Sequence, residues 1–438
     1  MLKIFDLKQT DAGSVYIRLN GRTKENTDIT DYVRDILSNV IKLGDKALKE
    51  YTLKYDGVEL NDIPFRISVD EIIKARNSVS QEMKCIIMQA AENIKDFHLK
   101  QKNNSWFETY KDGTILGQLL TPIRQVGVYV PGGTAGSVPL ISTVLMNVIP
   151  AKIAGVERIV MVTPPGKTGE INPYLLYAAE VAGADEIYRV GGAQAIGALA
   201  YGTESINPVD KIIGPGNKYV AVAKRLVFGK CGIDQFAGPS EISVLADSTA
   251  NPTFVAADLL SQAEHDKMAA VILVTDSPEL VYKVNLKLQE LIKNLDKQDI
   301  CKSALENFGC AVITKDIYQG IDIINKIAPE HLEILTQNPF DLLAFIKNAG
   351  AIFIGENSPE PVGDYFAGPN HVLPTSGTAK FSSPLGVYDF MKKSSVISYS
   401  KKALLDNGEK IISFASAENL TAHAQAVKVR LEEMTEDE

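Results

Sequence analysis

RIVMVTPPGKTGEINPYLLYAAEVAGADEIYRVGGAQAIGALAY, residues 158–201, decides the fold. It opens on a short β-rich run, 158–162, closed by Pro164-Pro165. Residues 172–182 read as a helix that ends at Gly183. Residues 186–190 form a second β-rich run that meets Gly191-Gly192, and 194–201 return to helix. The same grammar holds on both sides. Upstream, in IRQVGVYVPGG, Val126, Val128 and Val130 alternate with Gly127 and Tyr129, and Pro131-Gly132-Gly133 ends the run. Downstream, a strand at 211–213 is followed by the turn Gly214-Pro215-Gly216-Asn217 and a helix over 218–227. Short strands alternating with helices imply βαβ units and a parallel sheet.

A second set of the same kind follows. Residues 241–245, 270–274, 309–314 and 350–354 are strand-like, and helical patterns at 252–262, 278–295, 318–327 and 339–347 separate them. The pattern predicts two α/β units, 128–237 and 238–380. Residues 28–103 read as helical: in DYVRDILSNVIKLGDKALKEY, 31–51, apolar residues recur at three and four. Residues 403–432 read as a further helical stretch that runs out in EEMTEDE, a solvated acidic tip.

The chain has 438 residues, 45% of them hydrophobic and 23% charged, which excludes extensive disorder. A net charge of −9 argues against general nucleic-acid binding, which needs clustered Lys and Arg. Cys85, Cys231, Cys301 and Cys310 form no CxxC pair and match no zinc-cage spacing, as expected of thiols in a reducing cytosol. MLKIFDLKQT does not read as a signal peptide, and the most apolar long stretch, 138–156, carries Ser142, Thr143, Asn147, Pro150 and Lys152, a poor membrane span. The class expected is a cytoplasmic enzyme.

Neither GxGxxG nor GxxxxGK(S/T) occurs, but PGGTAG, GGAQ and GPGN each follow a strand. Such turns admit backbone N–H groups to a phosphate and suit a dinucleotide. The plainer reading is that they only punctuate the chain. Of the five histidines, His98 sits among charged residues and reads as a surface side chain. In LLSQAEHD, Gln262 and His265 are three apart, so on a helix they share a face and suit one metal; otherwise His265 merely ends a helix. In APEHLEI, Pro329 suits the first turn of a helix, placing Glu330 and His331 at its N-terminus, where the dipole keeps imidazole neutral. That makes the two a candidate proton-transfer pair, against the alternative of a capped helix start. His371 lies in VGDYFAGPNHVLPTSG, a run whose length and polarity suit a functional loop. Asp364 in that run offers a hard oxygen to a metal, or simply forms an Asx turn. His423 is five residues beyond Glu418, off a common helical face, and reads alone as an exposed helix histidine.

Together these segments resemble the histidinol dehydrogenase family. The resemblance rests on VGVYVPGGTA (126–135), GGAQAIGALAYGTE (191–204), DKIIGPGNKYVAVAKRLV (210–227), AGPSEI (237–242), SQAEHD (261–266), APEHLEI (328–334), VGDYFAGPNHVLPTSGTAKFSSPLGVYDFMK (362–392) and ENLTAHAQAV (418–427). It covers the chain from about residue 30 onward. It implies two incomplete Rossmann-like parallel-sheet domains with a helical N-terminal region and a small C-terminal helical extension. The boundaries expected are 1–27 for an N-terminal arm; 28–127 with 238–380 for the first domain; 128–237 for the second, NAD-binding one; and 381–438 for a dimerisation extension.

The family oxidises L-histidinol to L-histidine through L-histidinaldehyde, the last step of histidine biosynthesis, using two NAD⁺ and one zinc per site. Carried over by position, the resemblance makes Gln262, His265, Asp364 and His423 the zinc ligands and Glu330 and His331 the acid/base pair. It places Tyr129, Gln194 and Asn217 at NAD. Ser240, Gln262, His265, His331, Asp364, Glu418 and His423 would contact substrate, with His371 nearby. It also implies a homodimer in which Glu418 and His423 come from the partner chain. The stretch TAGSVPLIS after Pro131-Gly132-Gly133 looks longer than the family pattern. Two other readings stay open: a related zinc- and NAD-dependent dehydrogenase of another small alcohol, and a non-catalytic dinucleotide-binding scaffold, which would not need these acids, bases and ligands together.

Overall fold

Parallel strands covered on both faces need largely apolar runs, and AVILVT and, apart from Glu241 and Ser243, EISVLA provide them. β9 (Glu241–Ala246) and β10 (Ala270–Thr275) are buried at every residue. They centre a six-stranded sheet in the order β1 (Lys3–Asp6), β11 (Cys310–Ile313), β10, β9, β12 (His331–Leu335), β13 (Ala351–Ile354). Every neighbouring pair is parallel, and His331 registers with Ile242 on one side and Ala351 on the other. A second parallel sheet has the order β6 (Glu186–Arg189), β5 (Arg158–Thr163), β4 (Gln125–Tyr129), β7 (Lys211–Ile213), β8 (Gly232–Ile233). The expected α/β class with two incomplete Rossmann-like sheets is therefore what the chain adopts. The computed structural model describes residues 1–9, 11–23, 27–132, 139–235 and 238–436. Gly133, residues 134–138 of the TAGSVPLIS stretch and residue 237 of AGPSEI lie outside them.

Two compact units make up the chain: Met1–Gln101 with Ile123–Phe390, and Lys102–Pro122 with Met391–Glu438. Both parallel sheets belong to the first. The helices of the five-stranded sheet start and stop where the sequence says they should. Asn172 accepts from the Tyr174 N–H, Pro173 opens Pro173–Ala182, and Gly183 closes it in the left-handed region. The N-terminal helices cover this sheet: Thr27–Leu43 packs on Gly192–Tyr201, Val69–Ser78 on Pro173–Ala182, and Gln81–Leu99 on Ile141–Ala154. Val33, Ile36, Leu37 and Val40 join Ile196 and Leu199 in one core.

His98 is not the surface residue expected. It is wholly buried, its Nδ1 is 2.7 Å from the Ile94 carbonyl, and its Nε2 lies 3.3 Å from the Asn370 amide nitrogen. Ile87, Ala90, Ala91 and Ile94 share its buried helical face, which outweighs the charged neighbours in sequence.

The second unit is an antiparallel sheet in the order β14 (Met391–Ser398), β3 (Ile115–Pro122), β2 (Trp106–Thr109), with helices Lys401–Ala417 and Thr421–Glu436. The C-terminal extension, read as helical, thus begins with a strand. Its helical part breaks between Glu418 and Leu420, where Asn419 takes φ +61°, so Glu418 and His423 fall on either side of the break.

The turn after β7 needs a glycine. Gly214 has φ +108°, and a Cβ there would lie 2.1 Å from the Tyr129 carbonyl oxygen. The turn is tied down by Lys224, whose Nζ donates to the Gly214 carbonyl at 2.9 Å and pairs with Asp234. Asp234 in turn accepts the Gly214 N–H at 2.7 Å. Both charged side chains are only 3% exposed. Replacing Lys224 by Met strands a buried carboxylate and is expected to cost roughly 3–5 kcal/mol in urea unfolding. A loss below about 1 kcal/mol would show that the pair does not hold this turn.

Candidate active site

A cavity of about 520 Å³ opens where the two parallel sheets of the first unit meet. Pro131 and Gly214 to Gly216 reach it from beyond the carboxyl ends of β4 and β7. Ser240, Glu330 and His331 reach it from the amino ends of β9 and β12. Ligands of open α/β sheets ordinarily lie at carboxyl ends; here only the five-stranded sheet obeys that rule. Gln262 and His265 enter from the end of helix Pro252–Ala263, Asp364 from helix Glu360–Tyr365, and His371 from the loop beyond. Two local expectations need correction. The helix containing Gln262 ends at Ala263, so His265 sits in the following turn. Asp364 lies on a short helix opened by Glu360-Pro361, not in a loop.

The predicted helix start at Glu330-His331 is also wrong. Ala328, at φ +53°, closes the helix Ile317–Ile327, and the chain then passes through Pro329 and Glu330 into β12. No helix starts at His331; burial keeps the imidazole neutral instead. Removal from water pushes its imidazole below the ordinary histidine range, although the Asp364 carboxylate pulls the other way. Its Nδ1–H donates to the Glu241 carbonyl at 2.9 Å. The carbonyl can only accept, so the lone pair is on Nε2. Nε2 is buried without a hydrogen-bond partner, 3.7 Å from Glu360 Oε1 and 3.9 Å from Asp364 Oδ1. Glu330 lies alongside, with Oε2 3.6 Å from His331 Nδ1 and accepting the Glu241 N–H at 2.8 Å.

These acids share a dry region. Burial drives the Glu330 carboxyl well above the usual range, and the Glu241, Asp364 and Glu360 carboxylates add to the rise. Burial, then the neighbouring Asp364, pushes Glu360 up to about 9. Behind them Glu333 is pushed up to about 9 by burial and by Asp258, and it accepts the Glu360 N–H at 2.9 Å. Burial raises Asp258 as well. Sequence reading missed Glu241, Glu333 and Glu360. Two signals were available: Glu360 precedes Asp364 by one helical turn, and Glu333 follows His331 by one strand repeat.

Two features fit a cation. Among the described residues, His331, Glu360 and Asp364 can offer ligand atoms all within 4.8 Å of one another. Gln262 Oε1, His331 Nε2 and Glu360 Oε1 are buried without hydrogen-bond partners. An imidazole, an amide oxygen and carboxylates form an N/O donor set that suits zinc. Of the four ligands expected from sequence, Gln262, His265 and Asp364 line this cavity; His423 belongs to the second unit and is exposed, as is Glu418.

A second cavity, of about 440 Å³, adjoins at Pro131 and gathers Tyr129, Gln194 and Asn217 with Tyr32, Tyr55 and Tyr219. The Tyr129 hydroxyl accepts the Gly192 N–H at 3.2 Å, and burial pushes its pKa up to about 12. Gln194 is buried with neither amide atom partnered, and Gly192, at φ +67°, leaves room for it: a Cβ would lie 2.6 Å from Gln194 Oε1. Asn217 caps helix Lys218–Val227, accepting from Tyr219 and Val220 N–H at 3.0 and 3.1 Å. Orphaned amide atoms beside glycine turns and a helix N-terminus suit a polar, phosphate-bearing cofactor. Among the described residues no cysteine lines either cavity, and burial pushes Cys231 and Cys310 up to about 11 and 12.

Fold and site together define an α/β protein in which Glu330 and His331 line a metal-competent cavity that adjoins a cofactor-sized cleft. Comparison with known proteins makes this specific. The histidinol dehydrogenase profile matches residues 19–431. The chain is 56% identical to the histidinol dehydrogenase of Geobacillus kaustophilus over 400 residues, covering 91% of this chain and 93% of that protein. It is 54% identical to the Bacillus subtilis enzyme over 398 residues, covering 91% and 92%. The crystal structure of histidinol dehydrogenase from Elizabethkingia anophelis superposes with a TM-score of 0.93 at 39% identity, covering 99% of both chains. The chain belongs to the histidinol dehydrogenase family, a family of oxidoreductases.

The raised acids give a pH signature. Folded Glu333 keeps a proton that the unfolded chain releases above the usual 4.5, so its burial removes stability progressively from pH 4.5 towards 9. Glu333→Gln carries no such titration. In metal-free protein the variant should melt above the parent at pH 8, with the gap closing as pH falls towards 4.5. A gap independent of pH would mean that Glu333 is ionised in the fold.

Proposed function

We propose that this chain oxidises L-histidinol to L-histidine through L-histidinaldehyde in a zinc- and NAD-dependent reaction, the last step of histidine biosynthesis. It acts as a cytoplasmic homodimer with shared sites. The observation that carries this reading is the buried, unpartnered Nε2 of His331, facing a cavity that adjoins a second, cofactor-sized one.

The overall change is alcohol plus water plus two NAD⁺ to carboxylate, two NADH and three protons. A neutral imidazole whose Nδ1–H is fixed takes the carbinol proton at Nε2 as hydride leaves carbon. The aldehyde must then gain water before it can lose a second hydride. Glu330, held beside His331 and shielded from solvent, is suited to take the proton of that water, because a carboxyl raised by burial exchanges protons nearer neutrality. Zinc, when bound, supplies a Lewis-acid anchor for the nitrogen atoms of the substrate. Gln262, His265 and Asp364 would hold it, with His423 of a second copy. Ser240 and His371, with Glu418 of the second copy, would line the substrate. Tyr129, Gln194 and Asn217 would orient the nicotinamide cofactor.

Support for the dimer comes from the second unit by itself. Trp106, Phe107, Ile397 and Phe414 there are 52%, 55%, 72% and 72% exposed, large apolar side chains that a second copy could cover. No helix among the described residues is long and apolar enough to cross a membrane.

Purified protein is expected to form two NADH per histidinol consumed, and to lose this activity with a chelator; a ratio of one would end the reaction at the aldehyde. His331→Ala should lower kcat by roughly 10²–10⁴ with little change in KM, and unchanged turnover would remove it as the base. Mixing His331→Ala with His423→Ala should restore part of the activity. No recovery in the mixed dimer would argue for sites built within one chain.

A further inference from the structure

A buried ion pair joins the N-terminal segment to the amino end of β9. Arg22 lies in the single 3-10 turn Gly21–Thr23, and its guanidinium pairs with the Glu241 carboxylate. The two side chains are 4% and 3% exposed. Arg22 is itself held: Nε donates to the Leu19 carbonyl at 3.3 Å, and the guanidinium lies 5.9 Å from the Phe308 ring centre. On the other side the Ser376 N–H donates to Glu241 Oε1 at 2.9 Å. The side chain of Glu241 is thus gripped from two distant parts of the chain.

The main chain of the same residue grips the reacting pair. The Glu241 N–H donates to Glu330 Oε2 at 2.8 Å, and its carbonyl accepts His331 Nδ1–H at 2.9 Å. The first of these bonds aims Glu330. The second sets the His331 tautomer and directs Nε2 into the cavity. Glu241 lines no part of the large cavity itself.

We propose that Arg22 is a positioning residue for the reaction: by pairing with the Glu241 carboxylate it fixes the peptide groups that aim both Glu330 and His331. The proposal rests on the function given above for that pair. Without the guanidinium, a buried carboxylate has lost the partner that holds it and shifts towards water. A shift of Glu241 moves both hydrogen bonds together, because they belong to its own two peptide groups. Reacting groups displaced by even an ångström lose much of their rate.

Arg22→Met is expected to lower the rate constant of single-turnover NAD⁺ reduction by histidinol at least about tenfold, with KM for histidinol and zinc content kept within about twofold. A rate constant, unlike an amplitude, does not fall merely because part of the sample is unfolded. Arg22→Lys should recover part of the loss, and it serves where the Met variant does not fold. The pair Arg22→Met with Glu241→Gln should be no slower than the slower single variant. A rate constant within about twofold of the parent in Arg22→Met, or losses that add in the pair, would overturn the proposal. Crystal structures separate this from failure of the functional reading. Loss of the 2.8 and 2.9 Å bonds in the variant supports positioning whatever the parent oxidises, and their retention overturns it.

Discussion

Glu330 and Glu360 set two buried carboxyl groups against one imidazole, and Glu333 and Asp258 stand buried behind Glu360. Charges this close and this dry cannot all persist: each must keep a proton, gain a cation partner, or be hydrogen-bonded by peptide groups. All three remedies are visible. Burial retains protons on Glu333 and Glu360, the unpartnered Gln262 Oε1 and the Asp364 carboxylate suit a metal, and the Glu241 and Glu360 N–H groups donate to carboxyl oxygens. The fold around the cluster is built to hold these acids where folding alone would not put them.

That demand explains the odd end of the sheet. Carboxyl ends of parallel strands, followed by helix N-termini, favour anions, and the five-stranded sheet presents its cofactor-sized cleft there. Cation chemistry has no use for such an environment. The amino ends of β9 and β12 avoid it: His331 and Glu330 stand at strand starts, and Asp364 comes from the far end of its short helix. Two sheets meeting carboxyl end to amino end give one molecule adjoining sites of opposite electrostatic preference.

The apolar and glycine-bounded elements were legible in sequence because their pattern and their structure obey the same rule. Residues 158–162, 241–245 and 270–274 lie in strands because an inner strand covered on both faces is mostly apolar, while 186–190 overlaps the edge strand Glu186–Arg189 and is marked by the glycines at 183 and 191. β12 was misread because HLEIL carries His and Glu into a fully buried strand. A functional requirement there overrode the pattern that betrays strands elsewhere. β14, MKKSSVIS, was missed for the opposite reason: it is largely exposed and leaves almost no apolar alternation to detect. Gln262, His265, Asp364 and His371 line one cavity; spacing links only the first two, and only family resemblance joins Asp364 and His371 to them. The Arg22–Glu241 pair joins residues 219 positions apart, and no local signal announces it.

Asn217 illustrates how a structural duty narrows a chemical one. Its side-chain oxygen is committed to the Tyr219 and Val220 N–H groups at the start of a helix, so towards the cleft the amide has only hydrogens left to give. A molecule lying over that edge must therefore bring lone pairs. Aspartate would cap the same helix, yet meet those lone pairs with more of its own. One nitrogen atom, idle as far as folding is concerned, becomes the discriminating part of the side chain.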